Sequence, residues 1–225
     1  MPIEVAHFIY TLILFFCLVY GLVIIKKLSL TLKIIVIYVL ASVIAEAIGF
    51  YTLHIHDYPT INAANYNVYT LAEIGFLGAY FYQILVNRGI KQFVLFISGS
   101  LFLINLAQTI QGEYYLDESN AKMYLIIGAY HISLTLTYFV QIIQLNEPDL
   151  FKPEFWVCTG LLFFYGGGFL LTGLIDYLVQ TDKTLARQVF TLNHLLNIVL
   201  YSMIGYAFFA AWKNQKLSSL SLEEQ

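Results

Sequence analysis

The segment that decides the fold is Asn65–Asn87, NYNVYTLAEIGFLGAYFYQILVN. As a helix it is long enough to cross the roughly 30 Å hydrocarbon core of a bilayer, yet it contains the carboxyl group of Glu73. An ionisable residue inside a membrane span is costly and marks a candidate functional site. Glu73 shares one helical face with aromatic residues at steps of three and four, namely Tyr66, Tyr69, Phe76 and Tyr80.

The composition of the 225-residue chain indicates that its solvent is lipid. The chain is 60% hydrophobic and 11% charged, whereas soluble domains are near 25% charged. A net charge of −3 without a basic run argues against nucleic acid as a partner. The two cysteines, Cys17 and Cys158, lie in apolar segments, which argues against a disulfide framework.

Seven apolar segments of about 20 residues can be drawn, and each is long enough for a membrane helix. All four prolines fall at the start of the chain or between these segments, which agrees with the division. We therefore predict an all-α, polytopic bundle of seven transmembrane helices over residues 1–212, followed by a short polar tail, 213–225. The predicted spans are Ile3–Ile25, Leu32–Leu53, Asn67–Val86, Gln92–Ile110, Met123–Leu145, Phe155–Val179 and Leu185–Trp212.

The distribution of basic residues predicts the orientation. Eight of the 11 lysines and arginines fall on one side of the seven spans and three on the other. By the positive-inside rule, the N-terminus is outside and the C-terminus, with the tail, is cytoplasmic. Trp156 and Trp212 fall at the cytoplasmic boundary, where amphipathic rings are enriched.

Polar residues concentrate in the predicted outer halves of the spans and suggest an outward-facing polar pocket. Glu73 lies roughly 9 Å below the outer surface, and His131 and His194 lie about 13 Å below it. We expect Glu73 to face the bundle interior and to bond to His131 or His194. Buried polar groups also serve as hydrogen-bonding contacts between helices, which leaves a purely structural role open. The predicted ligand-binding residues are Glu46, Tyr69, Glu73, Asn105, His131, His194 and Asn197.

The motifs exclude several classes of protein. The chain has no HExxH, GxSxG, P-loop or CxxC motif, and no lysine between Arg187 and Lys213 for a retinal Schiff base. The acidic residues and histidines of the predicted pocket have no metal-ligand spacing on one helix, so no metal, cofactor or catalytic residue is assigned. A second polar group, His54, His56 and Asp57, is typical of a solvated loop.

Three glycines in a row, Gly166–Gly168, interrupt the sixth span. Small residues let neighbouring helices approach closely, and a run of glycines also weakens a helix. Together with Gly160 and Gly173, they predict either a close helix crossing or a hinge.

Several motifs together resemble a group of small, uncharacterised integral membrane proteins common in Bacteroidota. They are Tyr69-x-x-x-Glu73, the Phe155-Trp156 start of the sixth span with Gly160 and the following glycines, and Asn193-x-x-x-Asn197 with Tyr201. The resemblance covers essentially the whole chain. It implies a multi-pass protein of the bacterial inner membrane, and it transfers no catalytic residue.

The function that these observations favour is a sensor or receptor-like signalling component. It would bind a small ligand in the outer pocket and act through a cytoplasmic signalling protein, since no cytoplasmic catalytic domain is expected. Two alternatives remain open. One is an intramembrane, lipid-directed enzyme that uses the Glu/His cluster. The other is a small transporter, channel or assembly subunit.

Overall fold

The computed structural model describes residues 3–54, 59–111, 118–145, 152–181 and 183–223, and the side chains of residues 3–52, 62, 64–111, 122–145, 152–173 and 191–216. These residues form an all-helical bundle of seven α-helices and one 3-10 turn, Ile25–Lys27, with no strand among them. The helices are α1 (Ile3–Val23), α2 (Leu30–His54), α3 (Pro59–Ile84), α4 (Arg88–Gln111), α5 (Glu118–Gln144), α6 (Pro153–Thr181) and α7 (Lys183–Glu223).

Local sequence signals set where several helices begin. Pro59 and Pro153 are the first residues of α3 and α6, a position where the missing N–H would have no helical partner. The Ser29 hydroxyl oxygen accepts the backbone N–H three residues later at 3.3 Å and caps α2. The Asn87 side-chain oxygen accepts N–H groups two and three residues later, at 2.9 and 3.2 Å, and caps α4.

Six of the described helices, α1, α2, α4, α5, α6 and α7, are long and apolar enough to cross a membrane. This identifies the chain as a multi-pass membrane protein. The exception is α3, the helix that carries Glu73. Its first half holds Asn62, Asn65, Asn67 and Thr70, and these polar residues lower its hydropathy. A seventh span and the orientation of the bundle therefore stay predictions.

The helices form a closed arrangement. Each of the pairs α1–α2, α2–α3, α3–α4, α5–α6 and α6–α7 packs together, and α7 returns to α1. The remaining gap closes where α3 and α4 meet α5. The Ser98 and Tyr130 hydroxyl groups of α4 and α5 are 2.8 Å apart. The Gln141 side chain of α5 accepts the Val86 N–H at 2.7 Å and donates to the Ile84 carbonyl at 3.1 Å, which secures the end of α3.

Close packing of α6 against α7 is confirmed at two of the predicted glycines. A methyl group on Gly167 would lie 2.7 Å from the Leu196 methyl carbons, and one on Gly160 would lie 3.2 Å from the Leu200 backbone oxygen. Gly166 and Gly173 face open space instead. The helix continues unbroken through the three glycines, and Gly167 acts as a packing contact with α7.

Aromatic rings mark the end of the bundle where α6 begins. Trp156 packs edge-on against Tyr206 with ring centroids 4.5 Å apart, and Phe209 follows at 6.1 Å from Tyr206 and 6.0 Å from Trp212. The two tryptophans therefore lie at the same end, as a boundary belt requires. Beyond Trp212 the polar tail continues α7 as helix to Glu223.

Candidate functional site

Glu73 is buried inside the bundle and pairs with a tyrosine of another helix. Its side chain is 3% exposed. The Tyr165 hydroxyl group of α6 donates a 2.8 Å hydrogen bond to Glu73 Oε1. The prediction that Glu73 faces the interior and finds a partner on another helix is confirmed. The expected partner was wrong, because the bond comes from Tyr165 and not from His131 or His194.

His131 lies beside this pair, held between aromatic rings. Its side chain is fully buried, and its ring stacks on the Tyr165 ring with centroids 4.7 Å apart and planes at 24°. Tyr130 and Phe81 lie at 5.4 and 6.5 Å from it. Neither ring nitrogen makes a hydrogen bond to the described residues, although the Ile127 carbonyl approaches. We call Glu73, Tyr165 and His131 the Glu73 cluster.

Tyr69 belongs to a neighbouring group of hydroxyls. Its hydroxyl oxygen is 3.0 Å from Ser42 Oγ, and Ser42 in turn donates to the Tyr38 carbonyl oxygen at 3.0 Å. Tyr69 is therefore the donor to Ser42. The Tyr201 hydroxyl group lies close to both Ser42 and Tyr69. This group joins α2, α3 and α7 one helical turn from Glu73.

A cavity of about 270 Å³ lies between α1 and α2. We call it the α1–α2 cavity. Three of its residues, His7, Thr11 and Glu46, carry polar side chains, and the others are apolar. The complete lining is His7, Thr11, Leu14 and Phe15 of α1, with Val43, Glu46, Ala47 and Phe50 of α2.

The polar residues of the α1–α2 cavity also contact α3 and α7. The Tyr66 hydroxyl group of α3 donates a long, 3.4 Å hydrogen bond to Glu46 Oε1. The His7 ring packs edge-on against the His194 ring of α7 with centroids 5.1 Å apart. Tyr10 stacks on His194 at 5.9 Å and approaches Tyr201, also at 5.9 Å. The polar side chains that line the cavity are thus one side chain away from two other helices.

Asn105 and Asn197 line neither the cavity nor the Glu73 cluster. Asn105 of α4 is buried, and its Oδ1 atom has no hydrogen-bond partner among the described residues. The Asn197 side chain donates to the Asn193 carbonyl oxygen one turn earlier at 3.0 Å.

The structure describes all seven predicted residues and places them in more than one group of contacts. Glu46 lines the α1–α2 cavity, and His194 lies behind it. Glu73 and His131 meet through Tyr165. Sequence reasoning missed His7, although a histidine five residues into a membrane helix is itself a signal. His56 and Asp57 lie outside the described residues, as does the side chain of His54.

Within the part of the chain that the structure describes, no three histidine, cysteine or acidic side chains are grouped as metal ligands. No protein-family model, curated protein or solved structure matches this chain. The site is therefore defined by its geometry alone: a partly polar cavity between α1 and α2, and a buried carboxyl group, tyrosine and histidine behind it.

Proposed function

We propose that this protein is a receptor-like sensor of the bacterial inner membrane. A small ligand binds in the α1–α2 cavity, and the resulting shift passes along α7 to a cytoplasmic signalling protein. The proposal includes the predicted seven spans, with the N-terminus outside and the C-terminus cytoplasmic. The observation that carries it is the 5.1 Å ring contact between His7, which lines the cavity, and His194 of α7.

The route from the cavity to the other end of the bundle follows the α1–α7 interface. Below the His7–His194 contact, Tyr10 lies against Tyr201. Near the opposite end of α1, a methyl group on Gly21 would lie 2.8 Å from the Phe208 ring. Because this interface is closely packed, a displacement at one end is passed on rather than absorbed.

The length of α7 suits a helix that passes the shift to a cytoplasmic signalling protein. Its 41 residues span about 60 Å at the helical rise, twice what the hydrocarbon core requires. A ligand shifts such a helix only as far as it binds one arrangement better than the other. The His7–His194 contact supplies that difference, since a ligand that binds against His7 displaces its ring relative to His194 of α7.

A cavity-filling substitution tests the proposal without a known ligand. Ala47→Trp places a large side chain in the α1–α2 cavity, and Ala129→Trp places the same side chain on an exposed position of α5. Spin labels on Asn87→Cys and Lys213→Cys, with Cys17 and Cys158 replaced by alanine, report the distance between the α3–α4 connection and α7 in lipid nanodiscs. We expect Ala47→Trp to shift that distance by about 2 Å or more, the size of helix shifts in known switches.

The control variant defines the contrary result. If Ala47→Trp and Ala129→Trp give the same distance distribution as the unsubstituted protein, and all three proteins are folded, occupancy of the cavity does not move α7. The sensor proposal then fails.

A further inference from the structure

Resting on this proposed function, we infer that the ligand is an amphiphile dissolved in the membrane. Its hydrogen-bond-donating head, a hydroxyl or amine, binds at Glu46 and His7. Its apolar chain, of about eight carbons, lies between Leu14, Phe15 and Val43 after entering sideways from the lipid.

The position of the cavity supports entry from lipid. All of its lining residues belong to α1 and α2, two helices that are both long and apolar enough to span a membrane. Phe15 and Phe50 on its rim are each 54% exposed, although both are large apolar residues. Ala47 and Thr11 are exposed beside them. In a membrane-spanning pair of helices, this exposed rim faces acyl chains, so the cavity opens where an amphiphile already resides.

The lining has a polar end and an apolar end. α1 and α2 run antiparallel, and the close approach of Gly21 to Val36 sets their register. Counted from that contact, His7 lies near the level of Phe50, Thr11 near that of Glu46, and Leu14 near that of Val43. The lining residues of α1 cover about 12 Å along the helix axis. A volume of about 270 Å³ equals about nine water-sized groups. A polar head with a chain of about eight carbons matches both dimensions.

The hydrogen bonds already present determine which head fits. The Thr11 hydroxyl proton is used by the His7 carbonyl oxygen at 2.9 Å, so Thr11 offers an acceptor. Glu46 has two carboxyl oxygens, which are approached by the Tyr66 hydroxyl group at 3.4 Å and by the Tyr10 hydroxyl group. Carboxylates accept several hydrogen bonds, which leaves room for a further donor. A carboxylate or phosphate head would instead bring acceptor oxygens to oxygens that already accept hydrogen bonds.

Photoaffinity labelling tests the ligand class directly. The full chain in lipid nanodiscs is exposed to three probes with the same eight-carbon, diazirine-bearing chain: an alcohol, a carboxylate, and a hydrocarbon without a head. Adducts are mapped by mass spectrometry. We expect the alcohol to label the peptide segments around Phe15 and Val43, and unlabelled octan-1-ol to compete better than octanoate.

Glu46→Gln should lower labelling about tenfold, as expected when a strong hydrogen bond to the carboxyl group is lost. Ala47→Trp should abolish it, and Ala129→Trp should leave it unchanged.

Three results overturn the inference: equal labelling by the carboxylate, equal labelling by the headless chain, or labelling that Ala47→Trp does not reduce. Competition between octan-1-ol and octanoate needs no variant, so the test stands even if Glu46→Gln misfolds. The outcome is separable from the proposed function. Specific labelling without a spin-label shift retains the ligand site and removes the sensor, whereas a spin-label shift without labelling removes the ligand class and retains the sensor.

Discussion

The Tyr165 hydroxyl group donates a 2.8 Å hydrogen bond to the Glu73 carboxyl group between α6 and α3, inside the bundle. Both side chains are almost fully buried. The bond therefore satisfies two polar groups that would otherwise lie in an apolar interior without a hydrogen-bond partner. The His131 ring stacks on the same tyrosine. A change at Tyr165 therefore affects α3, α5 and α6 together.

Tyr165→Phe removes the donor of this bond and leaves the carboxyl group buried. We expect the free energy of unfolding in detergent to fall by about 2 kcal/mol, the usual cost of an unsatisfied buried polar group. Tyr206→Phe is the matched control, because Tyr206 is 44% exposed; its stability should change by less than about 0.5 kcal/mol. Equal effects of the two substitutions would show that the Tyr165–Glu73 bond contributes nothing to stability.

The sequence was sufficient to predict the helices but not which of them meet through a given side chain. Hydrophobic length and the position of proline placed most helix ends within about five residues, with two larger differences. The last helix, α7, continues to Glu223 and does not end at Trp212, and the other difference is the start of α3. That helix begins at Pro59 and not at Asn67. Asn65 explains part of the extension, since its side chain donates to the Ala45 carbonyl oxygen of α2 at 2.8 Å. A polar residue that bonds to a neighbouring helix looks, in sequence, like the end of a span.

The partner of Glu73 was not predictable for a related reason. Periodicity shows which residues share a face of one helix, and the face containing Glu73 is indeed turned inward. It does not fix how each helix is rotated against the others. Tyr165, His131 and His194 lie on α6, α5 and α7, and the structure shows that the Tyr165 hydroxyl group is the one that reaches Glu73. For the same reason, the sequence does not show that Glu46 lines the α1–α2 cavity while Glu73 bonds to Tyr165.

His131→Phe should stabilise the protein or leave its stability unchanged. Phenylalanine preserves the stacking on Tyr165 and removes two buried nitrogens that have no hydrogen-bond partner among the described residues. Relief of unsatisfied polar atoms is worth about 1 kcal/mol or more. Thermal unfolding in detergent measures the change, with Phe164→Leu as a control for general repacking. A loss above about 1 kcal/mol would show that the imidazole makes a stabilising hydrogen bond.

Gly167→Ala should destabilise the α6–α7 interface, because the new methyl group would lie 2.7 Å from Leu196. Movement of the Leu196 side chain and the roughly 1 kcal/mol helix preference of alanine reduce the usual overpacking cost of about 1–3 kcal/mol. We therefore expect Gly167→Ala to be about 1 kcal/mol less stable than Gly166→Ala. Gly166→Ala is the matched control, since that position faces open space and alanine favours helix by about 1 kcal/mol. Adding Leu196→Ala should relieve the clash. Equal stability of the two single variants would contradict close packing at Gly167.

Reporter fusions test whether α3 crosses the membrane. Seven spans predict cytoplasmic signals for fusions after Lys27, Lys91 and Trp212, and external signals after Asp57 and Asp117. The decisive positions follow α3. If α3 lies outside the hydrocarbon core, the fusions after Lys91, Asp117 and Trp212 all exchange sides, and the count falls to the six helices whose length and hydropathy suffice.

Substitutions of Glu73 separate a structural carboxyl group from a functional one. Glu73→Gln retains an oxygen that accepts the Tyr165 hydroxyl proton, so we expect a stability loss below about 1 kcal/mol. Glu73→Leu leaves that hydroxyl group buried without its acceptor and should cost about 2 kcal/mol. Combining Glu73→Leu with Tyr165→Phe removes both partners, and most of the lost stability should return. The spin-label shift caused by Ala47→Trp is then measured in the Glu73→Gln background. A shift that persists unchanged means that Glu73 only joins α3 to α6, whereas loss of the shift in a folded protein means that its ionisable group takes part in the response.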